Sequence, residues 1–180
     1  TGDNGANWRC LQGWIEIMKP LLQILKPLGI DESKIPQVFI SGLSSNSISI
    51  NQGDLFIAIQ GKNENGESYI ADAINSGAAA VITNKSYTED AEVPIYKVGN
   101  SRKALSIIAS EFYDHPSRSM KVIGITGTNG KTTTAFLVKS ILENANLKVA
   151  LIGTLGLIAK DFKYQKTLTT PDPISLNKIL

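Results

Sequence analysis

Residues 122–134 combine an apolar run, a glycine-rich loop and a lysine that is followed by threonines. Gly127 and Gly130 can bring backbone N–H groups close to a phosphate, because neither carries a Cβ. The amphipathic segment 132–145 would direct its positive N-terminal end at the same phosphate. Lys131 would add a mobile positive charge. This order of residues predicts a loop that binds a nucleoside triphosphate.

Seven consecutive residues are the predicted contacts of ATP, through backbone N–H groups and polar side chains: Gly127, Thr128, Asn129, Gly130, Lys131, Thr132 and Thr133. Lys131 and Thr132 are the candidate catalytic residues, and the Thr132 hydroxyl is the predicted ligand of Mg²⁺. The usual loop has a glycine where this chain has Ile125, so the strict spacing is not met. The alternative is a strand-to-helix turn that uses glycine for its geometry alone.

Strands and helices are predicted to alternate along the chain. Short apolar runs predict strands at 38–40, 53–59, 79–82, 95–98, 122–125 and 149–152, the last two as buried parallel strands. Helical spacing of apolar residues predicts helices at 21–28, at 69–77, at 101–112 with Ser101 as the N-cap, and at 132–145. This alternation predicts the α/β class.

Composition excludes several classes of function. The formal net charge is +2, and the basic residues are scattered without interleaved aromatics, so no nucleic-acid partner is expected. No apolar stretch reaches the ~18 to 20 residues that span a bilayer, and no signal peptide is recognisable. We therefore expect a cytoplasmic protein without membrane insertion. Cys10 is the only cysteine, which excludes an internal disulfide.

Three segments are predicted from the positions of these patterns. Residues 1–17 hold both tryptophans, show no clear periodicity and do not begin with methionine, so we expect a non-native or disordered leader. Residues 18–118 form the first predicted domain. Pro116 cannot continue the preceding helix, and the polar residues after it predict a linker. The second domain would then occupy residues 119–180.

These motifs resemble those of the Mur ligases, the ATP-dependent amino-acid-adding enzymes of peptidoglycan synthesis. Residues 124–134 resemble the ATP loop of the family, residues 53–56 its N-terminal signature, and residues 77–81 the strand-entry segment that follows. The resemblance covers residues 20–180. It implies a small uridine-binding domain followed by the start of a P-loop domain with a parallel sheet.

Two further segments, residues 153–156 and 169–173, resemble the Mur ligases that add the third amino acid to UDP-N-acetylmuramoyl-L-alanyl-D-glutamate. In that branch the resemblance implies that Thr169 and Thr170 contact the muramoyl dipeptide. It also implies that ATP phosphorylates the D-glutamyl carboxylate, and that the amine of the incoming amino acid then attacks the acyl phosphate.

The same resemblance assigns the uridine moiety to five polar residues: Ser45, Ser47, Lys62, Asn63 and Glu64. Hydroxyl and amide groups suit a uracil edge, which offers both donors and acceptors. Ordinary turn chemistry is the alternative for these residues.

Three positions depart from the family pattern. The chain has Asn46-Ser47-Ile48 where Asp-Ser-Arg is usual, which removes a charged contact. Gln52 replaces a common proline, and Leu168 replaces an asparagine that often precedes the two threonines.

The chain is expected to be an N-terminal fragment of such a ligase, inactive on its own, because the family continues with the rest of the ATPase domain and a third domain that selects the amino acid. The sequence leaves open whether that amino acid is lysine, diaminopimelate or another, and which oligomer forms. The alternatives are a Mur ligase that adds D-Ala-D-Ala, a nucleotide-binding module or small P-loop kinase without ligase activity, and a UDP-sugar-binding module with a vestigial ATP loop.

Overall fold

The computed structural model describes residues 18–61, 66–87, 90–160 and 170–180. Within them the chain forms two compact units that divide between Gly99 and Asn100. The α/β class is confirmed, whereas the domain limits at residues 18–118 and 119–180 stay predictions. The expected leader, residues 1–17, lies outside the described residues. No helix in the described ranges is long and apolar enough to cross a membrane.

Among its described residues the first unit contains six strands: β1 (Lys19–Pro20), β2 (Phe39–Ile40), β3 (Gly42–Ser44), β4 (Asp54–Ile57), β5 (Ala80–Thr83) and β6 (Ile95–Lys97). The last four form a parallel sheet in the order β3-β4-β5-β6, and β1 pairs antiparallel with β2. Every residue of β4 and β5 is buried, including the polar Asp54 at the start of β4 and Thr83 at the end of β5. The strands predicted within residues 53–59, 79–82 and 95–98 are confirmed.

Two short helices accompany this sheet, α1 (Leu21–Leu25) and α2 (Ile70–Asn75). The helix predicted from Leu21 onward forms, but Leu22 is 38% exposed and Ile24 is buried in its place. One core cluster joins α2 to the strands, and its buried members are Phe56, Ala58, Ile70, Ala73, Ala78 and Val81.

The second unit contains three helices and two strands among its described residues: α3 (Ser101–Phe112), α4 (Lys131–Asn144), α5 (Pro173–Ile179), β7 (Ala150–Gly153) and β8 (Gly156–Ala159). Helix α3 buries Leu105, Ile108 and Phe112 on the predicted face and packs against α5. The predicted N-cap of α3 is wrong. The Asn100 side chain caps the helix by accepting a hydrogen bond from Lys103 N at 2.9 Å, and Ser101 is buried instead.

Two predicted strands of the second domain are also corrected. Residues 121–127 form no strand, and Val122 and Ile123 are 66% and 59% exposed. A parallel strand needs neighbours to accept its backbone hydrogen bonds, and none lies beside this segment among the described residues. The run 149–152 contributes to β7, which pairs antiparallel with β8 rather than parallel. A connection of only two residues joins β7 to β8, and so short a link permits only antiparallel pairing.

Candidate functional site

The predicted nucleotide loop enters α4 through Gly130, which is the N-cap residue of that helix. Gly130 has φ +75°, in the left-handed region that residues with a Cβ rarely adopt. A Cβ at this position would meet nothing within 4 Å, so the backbone angle, not space, favours glycine. The turn therefore brings the chain from the exposed loop directly into the first turn of α4.

Lys131 is the first residue of α4, and its side chain turns back over the loop. Its Nζ lies 2.5 Å from the carbonyl oxygen of Gly127 and 3.3 Å from that of Thr128. An ammonium group has three N–H donors and no acceptor, so phosphate oxygens placed beside the loop would compete with these carbonyls. The lysine is thus already held at the position where the predicted phosphates would arrive.

Backbone donors at the start of α4 are available to an anion. The first intrahelical hydrogen bond runs from Thr134 N to Gly130 O at 2.9 Å, so the N–H groups before Thr134 have no carbonyl of the helix to bond. Thr132 and Thr133 are exposed in this first turn, as are Thr128 and Asn129 in the loop. All seven predicted ATP contacts lie in one loop-to-helix junction, and their roles stay predictions.

The Thr132 hydroxyl would supply one ligand of a magnesium ion, beside waters and phosphate oxygens. No group of three His, Cys, Asp or Glu side chains suited to a metal occurs in the described part of the chain. Magnesium usually keeps several waters and takes few protein oxygens when it also binds substrate phosphates. One hydroxyl next to a phosphate-binding loop is compatible with this mode of coordination.

Ser45 and Ser47 lie in the turn that follows β3, and the turn is built by their neighbours. Asn46 N donates to Ser44 Oγ at 3.1 Å, and Asn46 Oδ1 accepts from Ile48 N at 3.0 Å. Ser45 is exposed and Ser47 half-buried, so both hydroxyls lie on a structured turn. Sequence reasoning missed the supporting role of the buried Ser44, although a Ser-x-Asn pattern is a common turn signal.

Ile48 occupies the position of the family arginine and is 92% exposed. Because the side chain packs against so little of the protein, the structure does not explain why an apolar residue occupies this position. The remaining predicted uridine contacts, Lys62, Asn63 and Glu64, lie outside the described residues. The loop that contains them follows β4, and β4 is the parallel neighbour of β3. Loops after neighbouring parallel strands leave from the same edge of the sheet, which is where ligands of α/β proteins usually bind.

Thr170 is exposed and belongs to the second unit, whereas Thr169 lies outside the described residues. The segment after Thr170 starts α5, which sequence reasoning missed. Asp172 Oδ1 accepts hydrogen bonds from Ile174 N at 3.0 Å and Ser175 N at 3.1 Å, and Pro173 is the first helical residue. An Asp-Pro pair is a recognisable helix start, so this signal was present in the sequence.

Two family descriptions match the chain. Residues 39–113 match "Mur ligase family, catalytic domain" and residues 125–180 match "Mur ligase middle domain". The UDP-N-acetylmuramoyl-L-alanyl-D-glutamate–2,6-diaminopimelate ligase of Clostridium perfringens is 38% identical over 168 residues, which are 91% of this chain and 33% of that protein. The chain spans about a third of the length of the curated relatives it matches.

Solved structures agree on the fold. The structure of a UDP-N-acetylmuramoyl-L-alanyl-D-glutamate–2,6-diaminopimelate ligase superposes with a TM-score of 0.66 at 23% identity, over 89% of this chain and 32% of that one. The crystal structure of the MurF ligase from Thermotoga maritima in complex with ADP superposes with a TM-score of 0.52 at 26% identity, over 75% of this chain and 28% of that one.

Proposed function

The chain belongs to the Mur ligase family, and on that premise we propose that it binds ATP and UDP-N-acetylmuramoyl-L-alanyl-D-glutamate for the addition of a third amino acid. The observation that carries the proposal is the junction at Gly130 and Lys131. It combines helix N–H groups that have no carbonyl of the helix to bond with an ammonium group that lies over the same loop. The MurF ligase of Thermotoga maritima was crystallised with ADP, which supports the proposal that this chain binds a nucleotide.

In the proposed complex, the backbone N–H groups of residues 127–130 hold the β-phosphate and Lys131 neutralises the γ-phosphate. Thr132 would hold Mg²⁺, whose chemistry is to neutralise charge on the phosphate oxygens. Such a site acts by position and charge, because phosphoryl transfer needs little covalent chemistry from the protein. Lys131 reaches the phosphates by exchanging its carbonyl partners for phosphate oxygens.

The proposed reaction has two steps. A D-glutamyl carboxylate oxygen attacks the γ-phosphorus of ATP, and ADP leaves, so that an acyl phosphate forms. The amine of the incoming amino acid then attacks the acyl carbon, and inorganic phosphate leaves as the amide bond forms and the amine loses a proton. Lys131 stabilises negative charge in the first step because its ammonium group lies beside the transferred phosphoryl group.

The uridine end of the substrate is proposed to bind at the carboxyl ends of β3 and β4, near Ser45 and Ser47. This assignment rests on two serines, one exposed and one half-buried, on a hydrogen-bonded turn, and on the parallel pairing of the two strands. We also propose that the enzyme is cytoplasmic, because its reaction would use ATP and a UDP-linked substrate. Thr170 is proposed to contact the muramoyl dipeptide.

We propose 2,6-diaminopimelate as the amine, because the matched relatives are named for it. In a full-length ligase that contains this chain, supplying ATP, the dipeptide nucleotide and equal amounts of diaminopimelate and lysine tests this choice by the mass of the amide product. A lysine adduct contradicts it. A D-Ala-D-Ala-adding ligase is the second candidate, and the MurF structures favour it, although at 26% identity against 38% for the diaminopimelate ligase.

The proposed function is tested by calorimetric titration of the chain with Mg-ATP and, separately, with UDP-N-acetylmuramoyl-L-alanyl-D-glutamate. We expect both ligands to bind. Binding of ATP alone would leave a nucleotide-binding module, and binding of the nucleotide sugar alone would leave a module with a vestigial ATP loop. Either result contradicts the ligase assignment.

A further inference from the structure

Residues 45–53 connect the carboxyl end of β3 to the amino end of its parallel neighbour β4. Connections between parallel strands usually take about a dozen residues or more and often contain an α-helix. This shorter connection contains the 3₁₀ turn Ser47–Ser49 instead. The shape of the segment that carries Ser45 and Ser47 therefore depends on the hydrogen bonds of a few side chains.

The second half of this connection is fixed against the core and the sheet. Ile50 packs against the core cluster around Phe56. Asp54 is the first residue of β4 and is buried, and its Oδ2 accepts a hydrogen bond from Asn51 N at 2.9 Å. These contacts hold residues 50–54 without using the residues that are predicted to contact uridine.

Ser44 holds the first half of the connection. It is the last residue of β3 and is only 5% exposed. Its Oγ donates a hydrogen bond to the carbonyl oxygen of Asn46 at 2.8 Å and accepts one from Asn46 N at 3.1 Å. The same oxygen lies 3.1 Å from Ser49 Oγ, at the far end of the 3₁₀ turn. One buried hydroxyl thus contacts both sides of the segment that contains Ser47.

We infer that Ser44 is a positioning residue for the UDP-linked substrate: its buried hydroxyl holds Asn46 and the 3₁₀ turn in the conformation in which Ser45 and Ser47 receive the uridine moiety. This inference rests on the proposed function. Ser44 exposes too little surface to bind the ligand itself. It acts on the fraction of molecules whose turn is competent to bind, and the apparent Kd rises in inverse proportion to that fraction.

Two other roles of Ser44 make different predictions. If its hydroxyl contacts the ligand directly, losing the hydroxyl weakens binding while the turn keeps its shape. If Ile50 and Asp54 alone hold the connection, losing the hydroxyl changes neither the turn nor the binding. Only a positioning residue changes both together.

The test compares the whole chain with its variants Ser44→Ala, Ser44→Thr and Ser101→Ala. Ser44→Ala removes one oxygen and leaves the backbone pairing of β3 with β4 in place. Ser44→Thr keeps the hydroxyl, which can make the same hydrogen bonds to the backbone of the turn. Ser101→Ala is the matched control, because Ser101 is also a buried serine and its Oγ has no hydrogen-bond partner among the described residues.

Calorimetric titration gives the affinities. We expect Ser44→Ala to raise the Kd for UDP-N-acetylmuramoyl-L-alanyl-D-glutamate roughly three- to tenfold, the effect of losing one or two hydrogen bonds that stabilise the competent turn. Ser44→Thr and the control should bind this ligand nearly as the parent does. The Kd for Mg-ATP should be the same in all four proteins, which shows that the second unit is unaffected.

Amide hydrogen exchange without ligand measures the turn itself. The N–H of Ser49 donates to Asn46 O at 3.1 Å, so it reports on the 3₁₀ turn without involving the Ser44 side chain. Exchange at Ser49 should be faster in Ser44→Ala and close to the parent rate in Ser44→Thr. Exchange at Val81, whose N–H bonds to Pro94 O, should not change in either variant.

The positioning role is overturned by an unchanged Kd in Ser44→Ala, by unchanged exchange at Ser49, or by a loss of affinity in Ser44→Thr as large as that in Ser44→Ala. Failure of the proposed function has a different signature, because the parent chain itself would then not bind the nucleotide sugar. Faster exchange at Ser49 in Ser44→Ala would in that case show that Ser44 holds the turn, but its role for the substrate would be overturned with the function.

Discussion

The ammonium nitrogen of Lys131 lies 2.5 Å from the carbonyl oxygen of Gly127, at the opposite end of the same loop. The contact turns the lysine side chain back toward the loop that precedes α4. A bound triphosphate would present oxygens to the same ammonium group, so the carbonyl partners and the phosphate compete for one cation. The loop therefore holds its cation in place before any nucleotide binds.

We expect Gly130→Ala to weaken Mg-ATP binding up to about tenfold, because the left-handed φ of +75° costs a residue with a Cβ roughly 1–2 kcal/mol. The space around Gly130 is open, so the effect comes from the backbone angle alone. Gly99→Ala is the control, since its surroundings are equally open and its φ lies outside the left-handed region. Calorimetric titration measures both, and equal affinities for the two variants would contradict the account of the turn.

The N-terminus of α3 provides a second test. Asn100→Ala removes the acceptor of the Lys103 N–H and should lower the free energy of unfolding by about 1 kcal/mol. Ser101→Ala should change it by less than about 0.5 kcal/mol or raise it, because the buried Ser101 Oγ has no hydrogen-bond partner among the described residues. Urea unfolding followed by circular dichroism measures both variants. A larger loss for Ser101→Ala would restore Ser101 as the cap.

Shortening an exposed side chain on α4 should change the free energy of unfolding little. Leu137 is 61% exposed, whereas Leu105 in α3 is 2% exposed. Leu105→Ala should therefore lower the free energy of unfolding by about 2–5 kcal/mol and Leu137→Ala by less than about 1 kcal/mol. Both changes leave a good helix former, so helix propensity is matched. Similar losses for the two variants would show that Leu137 is buried in solution.

Burial raises the pKa of Tyr96, whose hydroxyl donates to Lys34 O at 3.2 Å. Its contribution to stability is present below the unfolded pKa of about 10 and is lost as the pH rises through the folded pKa. The free energy of unfolding should thus fall more steeply above about pH 10 in the parent than in Tyr96→Phe. Denaturant unfolding from neutral pH to above about pH 10 gives the free energy of unfolding of both proteins as a function of pH. The same dependence on pH in both would contradict the raised pKa of Tyr96.

Part of the fold could be predicted because its signals are local. Strands β4 and β5 are buried on both faces, and each contains three consecutive apolar residues, 55–57 and 80–82, so they could be recognised without their neighbours. The run Val122–Ile125 is also rich in apolar residues, yet it forms no strand. Pairing depends on a partner elsewhere in the chain, and composition does not identify one. The turn at Thr154 and Leu155 did carry a hairpin signal, an apolar run on each side of a short turn.

The candidate sites differ in the same way. The predicted ATP contacts are consecutive in sequence, so their pattern could be recognised directly. The turn that contains Ser45 and Ser47 is instead held by hydrogen bonds of Ser44 and Asn46, which only the structure shows. Asn100 and Ser101 are adjacent and both suit an N-cap, so only the observed hydrogen bond distinguishes them.

The most direct test of the central claim is the affinity of the chain for Mg-ATP with Lys131 changed to alanine. Lys139→Ala is the control, because Lys139 lies on the same helix and pairs with Glu143 away from the loop. We expect the parent and Lys139→Ala to bind Mg-ATP alike, and Lys131→Ala to bind at least about tenfold more weakly, or about 1.4 kcal/mol. Equal affinities for all three, or no binding by the parent, would contradict a nucleotide site at the start of α4.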